Sequence, residues 1–202
     1  MKRLVVVIWA LALLAACTSP KPAETEKPKP KEPDFYTGRY AFQKMYLAAR
    51  GWARDAQPYS LSSETTPLST GKDGKSDLWH ASFASPLQHA VKPYTWSGTD
   101  APNSPRGVSP GIEDNYSPTN ASTQIFDVQF LKVDSEKALE EAQKHGGDKI
   151  LESAPNTPIV YQLEWRRSDN KLIWHVSYGG AVGWKLRVDV DASTGDFVRV
   201  EK

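Results

Sequence analysis

"LWHASFAS" (Leu78–Ser85) and "IWHVSYGG" (Ile173–Gly180) repeat one order of residue types: Trp, His, an apolar residue, Ser and an aromatic. In a strand, successive side chains point to opposite faces. Trp79, Ala81 and Phe83 therefore share one face of the first stretch, and His80 and Ser82 share the other. The same alternation separates Trp174 from His175 and Ser177. Both Trp read as core anchors and both His as outer-face residues. A second reading brings His80 and His175 together as a weak metal-binding or pH-sensitive pair.

Outward from these stretches, similar elements flank each copy. In the first, Thr37 is placed to cap a helix from about Gly38 to Ala53, with Phe42, Met45, Ala49 and Trp52 on one stripe. Strand-like runs follow at Tyr59–Ser63, Leu78–Ser85 and Ala90–Ser97, with Asp73-Gly74 suited to a tight hairpin turn. In the second, Thr123–Leu131 alternates as a strand through Phe126, Val128 and Phe130. A helix runs on to about His145 with Gly146-Gly147 as its stop. Strands are expected at Ile159–Arg167, Leu172–Tyr178, Trp184–Asp191 and Phe197–Val200. Turns fall at Ser168–Lys171 and Ala192–Gly195. Pro58 and Pro158 sit at equivalent points. The expected fold class is α+β: two tandem units, residues 35–122 and 123–202, each one helix packed on an antiparallel sheet.

Residues 98–122 are rich in Pro, Gly, Ser, Asn and Thr, and so long a connection is either disordered or functional. Ser109-Pro110 suits the start of one helical turn. Trp96, Arg106 and Tyr116, in or beside this loop, are the candidate partner-binding residues, because Trp, Tyr and Arg dominate binding hot spots. The alternative is a loop merely packed on the sheet.

The ending "LRVDVDASTGDFVRVEK" (Leu186–Lys202) resembles the PepSY domain of secreted and membrane-associated bacterial proteins. The resemblance rests on an alternating strand, an Asp-Ala-x-Thr-Gly-Asp turn and a short last strand. It covers the second unit well and the first loosely, which departs at Pro93 and in its long loop. The resemblance implies a helix on an antiparallel sheet, and protein binding with regulation or inhibition of peptidases. It brings no catalytic residues.

At the N-terminus, Lys2 and Arg3 precede an uncharged apolar run, Leu4–Leu14, too short for the roughly 20 residues of a spanning helix. It ends in Leu14-Ala15-Ala16-Cys17, which resembles the lipobox of bacterial lipoprotein signal peptides. That resemblance implies cleavage after residue 16 and acylation of Cys17, the chain's single cysteine. It also implies an envelope protein held by lipid, and Thr18 in place of Asp favours the outer membrane of a diderm cell. Residues 17–34 then read as the lipidated Cys and a Pro- and Lys-rich linker. Losing Lys2 and Arg3 from 25 basic residues leaves 23 against 24 acidic, a formal charge of −1. Such a balance gives no electrostatic grip on nucleic acid.

His80, His89, His145 and His175 form no metal-ligand spacing, and one cysteine cannot build a thiolate site. "GKDGKS" (Gly71–Ser76) lacks the first Gly of a phosphate loop, since position 69 is Ser69. Asn120-Ala121-Ser122 matches a glycosylation acceptor, incidental in a bacterial lipoprotein. No nucleophile elbow or acid pair stands out. The expectation is a non-catalytic protein- or peptide-binding module on a membrane anchor, without metal, cofactor or nucleic acid. The rival is a structural envelope lipoprotein with no specific soluble partner.

Overall fold

The β-branched and aromatic alternation seen in the sequence builds one broad sheet in the computed structural model, which describes residues 31–201. The signal peptide, Cys17 and most of the linker lie outside the described residues. In chain order the elements are β1 (Tyr36–Thr37), α1 (Gly38–Trp52), β2 (Gln57–Ser63), β3 (Lys75–Ser76), β4 (Leu78–Ser85), β5 (Ala90–Ser97), β6 (Gly107–Pro110) and β7 (Asp114–Asn115). A 3-10 turn (Val128–Phe130) precedes α2 (Ser135–Ala142), a π-type turn (Gln143–Gly147) and α3 (Asp148–Ser153). Four strands close the chain: β8 (Ile159–Arg166), β9 (Lys171–Tyr178), β10 (Leu186–Asp191) and β11 (Phe197–Glu201).

The fold is α+β. Nine strands form a single antiparallel sheet in the order β11-β10-β9-β8-β2-β4-β5-β6, with β7 also paired to β5, while β1 and β3 make a separate ribbon. The two halves meet where β2 pairs β8, with Ser60 opposite Glu164, Leu61 opposite Leu163 and Ser62 opposite Gln162. Both helices bury their apolar stripes in the same core. Ala41, Phe42, Met45 and Ala49 come from α1, and Ala138, Leu139 and Ala142 from α2.

Trp79 and Trp174 are fully buried at the centre of this core, as their alternation predicts. Removing such rings from water contributes on the order of 2–3 kcal/mol each. Their indole N–H groups donate to Tyr36 O (3.0 Å) and Val133 O (2.9 Å), the carbonyls just ahead of the N-caps of α1 and α2. The helix N-termini are joined as well. Asp134 accepts from Ser135 N at its own helix (2.7 Å), from Arg39 N on α1 (2.9 Å) and from Thr37 Oγ1 (2.7 Å). Thr37 thus occupies the N-cap position, but Asp134 does the capping there. Gly38 permits this closeness: a Cβ would stand 2.6 Å from Trp174 Cη2 and 3.1 Å from Trp79 Cη2.

Four other expectations are corrected. Residues 123–131 form no strand; the chain crosses extended from Phe126, whose N–H donates to Pro58 O, into the 3-10 turn. Ser109-Pro110 starts no helix but ends β6. The edge beside β5 breaks at Pro93, which has no N–H, so β6 pairs Tyr94–Ser97 and β7 pairs Ala90–Val91. The helix does not stop at Gly146-Gly147: the chain kinks at His145 and Gly146 (φ 111°) inside the π-type turn after α2 and restarts as α3. Asp73-Gly74 is no tight hairpin between long strands but leads into β3, which turns aside to pair β1.

Candidate functional site on the open sheet face

The helices cover the Trp face of the sheet, so the His face carries the molecule's polar chemistry. Strand register sets one row across it: Arg199, Asp189, His175, Gln162, Ser62, His80, Thr95 and Ser109, from β11 to β6. His80 and His175 lie three strand spacings apart, about 14 Å at the usual strand separation. They therefore share no site, and the paired-histidine reading is corrected.

Each histidine has its own acid. His175 is buried, with Nδ1 2.6 Å from Asp189 Oδ1 and Nε2 3.4 Å from Glu164 Oε1. Asp189, fully buried, also receives Arg199 Nε at 3.0 Å and Arg166 Nη1. Burial pulls the His175 pKa down, but the hydrogen bond and charge of Asp189, with the nearby Glu164 carboxylate, outweigh it and leave the ring above its ordinary value. Burial raises the Asp189 carboxyl, and His175 and Arg166 more than reverse this, so it ends lowered. Glu164 is lowered, chiefly by its contact with His175. Arg187 completes the cover, donating Nε to Ser177 Oγ (2.9 Å) and Nη2 to Gln162 Oε1 (3.1 Å).

The cluster pairs its opposite charges with one another. His175 Nδ1 is engaged by Asp189, while Nε2 stands 3.4 Å from Glu164 without a formed hydrogen bond. The neighbouring Ser177 hydroxyl is fully buried and engaged by Arg187. Cavities of about 240 Å³ beside Tyr46, Asp55 and Phe126, and about 280 Å³ beside Leu68, Leu78 and Ala101, open elsewhere. His80 is more open, bonded to Thr95 Oγ1 (3.0 Å) and Glu64 Oε2 (2.9 Å). Around it Ser62, Thr95 and Ser109 leave a half-exposed, hydroxyl-lined surface.

The three candidate partner residues do not form a surface cluster. Trp96 is buried in the main core, its ring 5.0 Å from Tyr36. Tyr116 is buried with Ala84 and Val91 in a small second cluster that pins the loop to the sheet. Arg106 is spent on Asp34, Asp100 and the carbonyls of Lys31 and Glu32, fastening the incoming chain. The packed-loop alternative describes all three. Sequence reasoning missed Asp189, Glu164, Arg166 and Arg199. The alternation of "LRVDVD" carried the signal, since it sets Arg187, Asp189 and Asp191 on the His face.

No protein-family model matches the chain, and no curated protein matches it. One solved structure is similar: a candidate lipoprotein from Clostridium difficile 630, at TM-score 0.55 and 12% identity, covering 84% of this chain and 95% of that one. At that identity the likeness concerns the fold. Among the described residues no helix is long and apolar enough to cross a membrane.

Proposed function

We propose that the protein is a lipid-anchored envelope lipoprotein, acylated at Cys17, whose folded part binds another protein or peptide without catalysis, a peptidase being the leading partner class. The lipobox-like Leu14–Cys17 supports the anchor, as does the likeness in fold to a candidate lipoprotein. Thr18 favours the outer membrane, periplasmic side, in a diderm cell. We read the chain as two PepSY-like copies of one helix-and-sheet unit. The paired indole bonds to the carbonyls ahead of two N-caps support that duplication.

The observation that carries the binding reading is the outer edge of β11. This strand pairs only β10 among the described residues, so one row of its backbone donors and acceptors is available for an added strand. Phe197, 37% exposed, sits on that strand as an apolar contact. The buried loop residues shift the docking surface from residues 98–122 to this edge and the open face. A purely structural role is the rival, and the bulge at Asp189/Val190 and the charged Arg199 and Glu201 on β11 favour it by blunting the edge.

Site-specific photocrosslinking in the native membrane separates the two. A crosslinker at Phe197 should capture one reproducible protein that a crosslinker at Leu87 does not. Recovery of the same abundant envelope proteins from both sites favours the structural role. Cys17→Ala should abolish labelling by a fatty-acid probe and membrane retention; persistence of both overturns the anchor.

A further inference from the structure

We infer that one end of the sheet rests on the lipid surface, so that the folded part lies against its own membrane rather than hanging free of it. This rests on the lipid-anchor reading above. The incoming chain docks at that end: Asp34 N donates to Gly98 O (3.0 Å) and Gly98 N to Asp77 O (2.8 Å), beside the end of β5 and the start of β4.

Antiparallel order brings two further connections to the same end. The β9–β10 connection, residues 179–185, leaves from Tyr178, which pairs with Ile159 at the start of β8. The β2–β3 connection is tied there too, with Ile159 N donating to Thr70 O (2.8 Å). The short turns between β4 and β5, β8 and β9, and β10 and β11 all lie at the other end.

Three of the nine exposed large apolar side chains among the described residues lie at the entry end. Val182 is 92% exposed, Leu68 55% and Phe35 38%. Val182 sits in "GGAVGWK", where Trp184 is half-buried with the Arg187 guanidinium 4.9 Å from its ring, and Lys185 is exposed. An apolar tip flanked by Trp and Lys suits a bilayer interface: the indole sits at headgroup level and the ammonium reaches back to phosphate. At this end Asp34 and Asp100 pair with Arg106 and Glu136 with Lys75, which offsets part of the repulsion between its acidic groups and anionic headgroups.

The tether makes a weak contact sufficient. The stretch between Cys17 and Lys31 reaches at most about 50 Å. Within that radius the effective concentration of membrane surface is high, and three apolar tips need supply only modest affinity.

The full-length lipidated chain, reconstituted in phosphatidylethanolamine–phosphatidylglycerol vesicles, tests this directly. If Cys17 is acylated, one introduced cysteine is the only free thiol. An environment-sensitive dye on Val182→Cys or Leu68→Cys should shift to the blue and lose fluorescence to doxyl-labelled lipid, whereas the same dye on Leu87→Cys should do neither. Equal behaviour at all three positions, in a chain whose Cys17 resists the thiol reagent, overturns this inference alone. A parent chain that takes up the reagent at Cys17 overturns the anchor and the inference together.

Discussion

Trp79 and Trp174 both set a ring against Gly38, so that the strands β4 and β9 grip the first residue of one helix. Each indole also holds the carbonyl that introduces a helix. Trp79→Phe and Trp174→Phe should each lower stability by about 1–2 kcal/mol, through a lost hydrogen bond and a slightly smaller ring. Because the rings share Gly38, the double variant should depart from the sum of the two singles. Urea midpoints at constant slope measure all three.

Gly38→Ala tests the same closeness from the other side. Its added methyl has no room beside the two rings, and the cost should be about 1–3 kcal/mol. Gly51→Ala, with nothing near its side-chain position, should be neutral or slightly stabilising in thermal unfolding.

Asp134 caps two helices with one carboxylate. Asp134→Ala should cost about 2 kcal/mol or more, while Asp134→Asn, which keeps one acceptor, should recover much of it. Amide exchange should show Arg39 and Ser135 losing protection together in Asp134→Ala.

Stability should depend on pH through the His175 cluster. Its imidazole is raised above 6.5, so its contribution is complete below that pH and is lost as pH rises through the folded value. Asp189 and Glu164 are lowered from 3.8 and 4.5, so theirs is complete above those values and is lost as pH falls through the folded ones. Unfolding midpoints should therefore be highest between about pH 4.5 and 6.5. His175→Asn should flatten the alkaline limb. Asp189→Asn should cost about 3 kcal/mol or more, because it leaves His175 and Arg166 facing no full charge in a buried site.

Tyr116→Ala should act on the loop and not on partner capture at Phe197. Removing the ring uncovers Ala84 and Val91 and should destabilise by about 3 kcal/mol. The readout is faster amide exchange in β7 and residues 117–125 with β9 unchanged.

Most of the strands were legible because their signal is local. The alternation of "LWHASFAS" and "IWHVSYGG" placed both Trp in the core, and the turns before Lys171 and at Gly195 followed from turn chemistry. The segments that misled owe their shape to distant neighbours. Phe126, Val128 and Phe130 alternate without a strand partner, and the buried residues are Phe126 and Leu131, where the chain crosses a core edge. Gly107–Pro110 becomes a strand only because β5 offers it an edge, and Pro93 interrupts that edge at a position no local pattern encodes. Hot-spot composition pointed to Trp96, Arg106 and Tyr116, but the same residue types serve equally to pin a long connection to a sheet. Asp189 drew no notice as a charge among 24 acids, and became distinctive only when register set it against His175.

The β2–β8 seam also imposes an order on folding. The hairpins β4–β5, β8–β9 and β10–β11 close over short turns and can form on their own within microseconds. The seam pairs Leu61 with Leu163, and so must close a loop containing nearly the whole of the first half. Until it does, β2 and β8 are both open edges and the Asp134 clasp has nothing to hold. A chain made from its N-terminus therefore spends its most aggregation-prone interval after β5 is made and before β8 arrives, when a holding chaperone has the most to do.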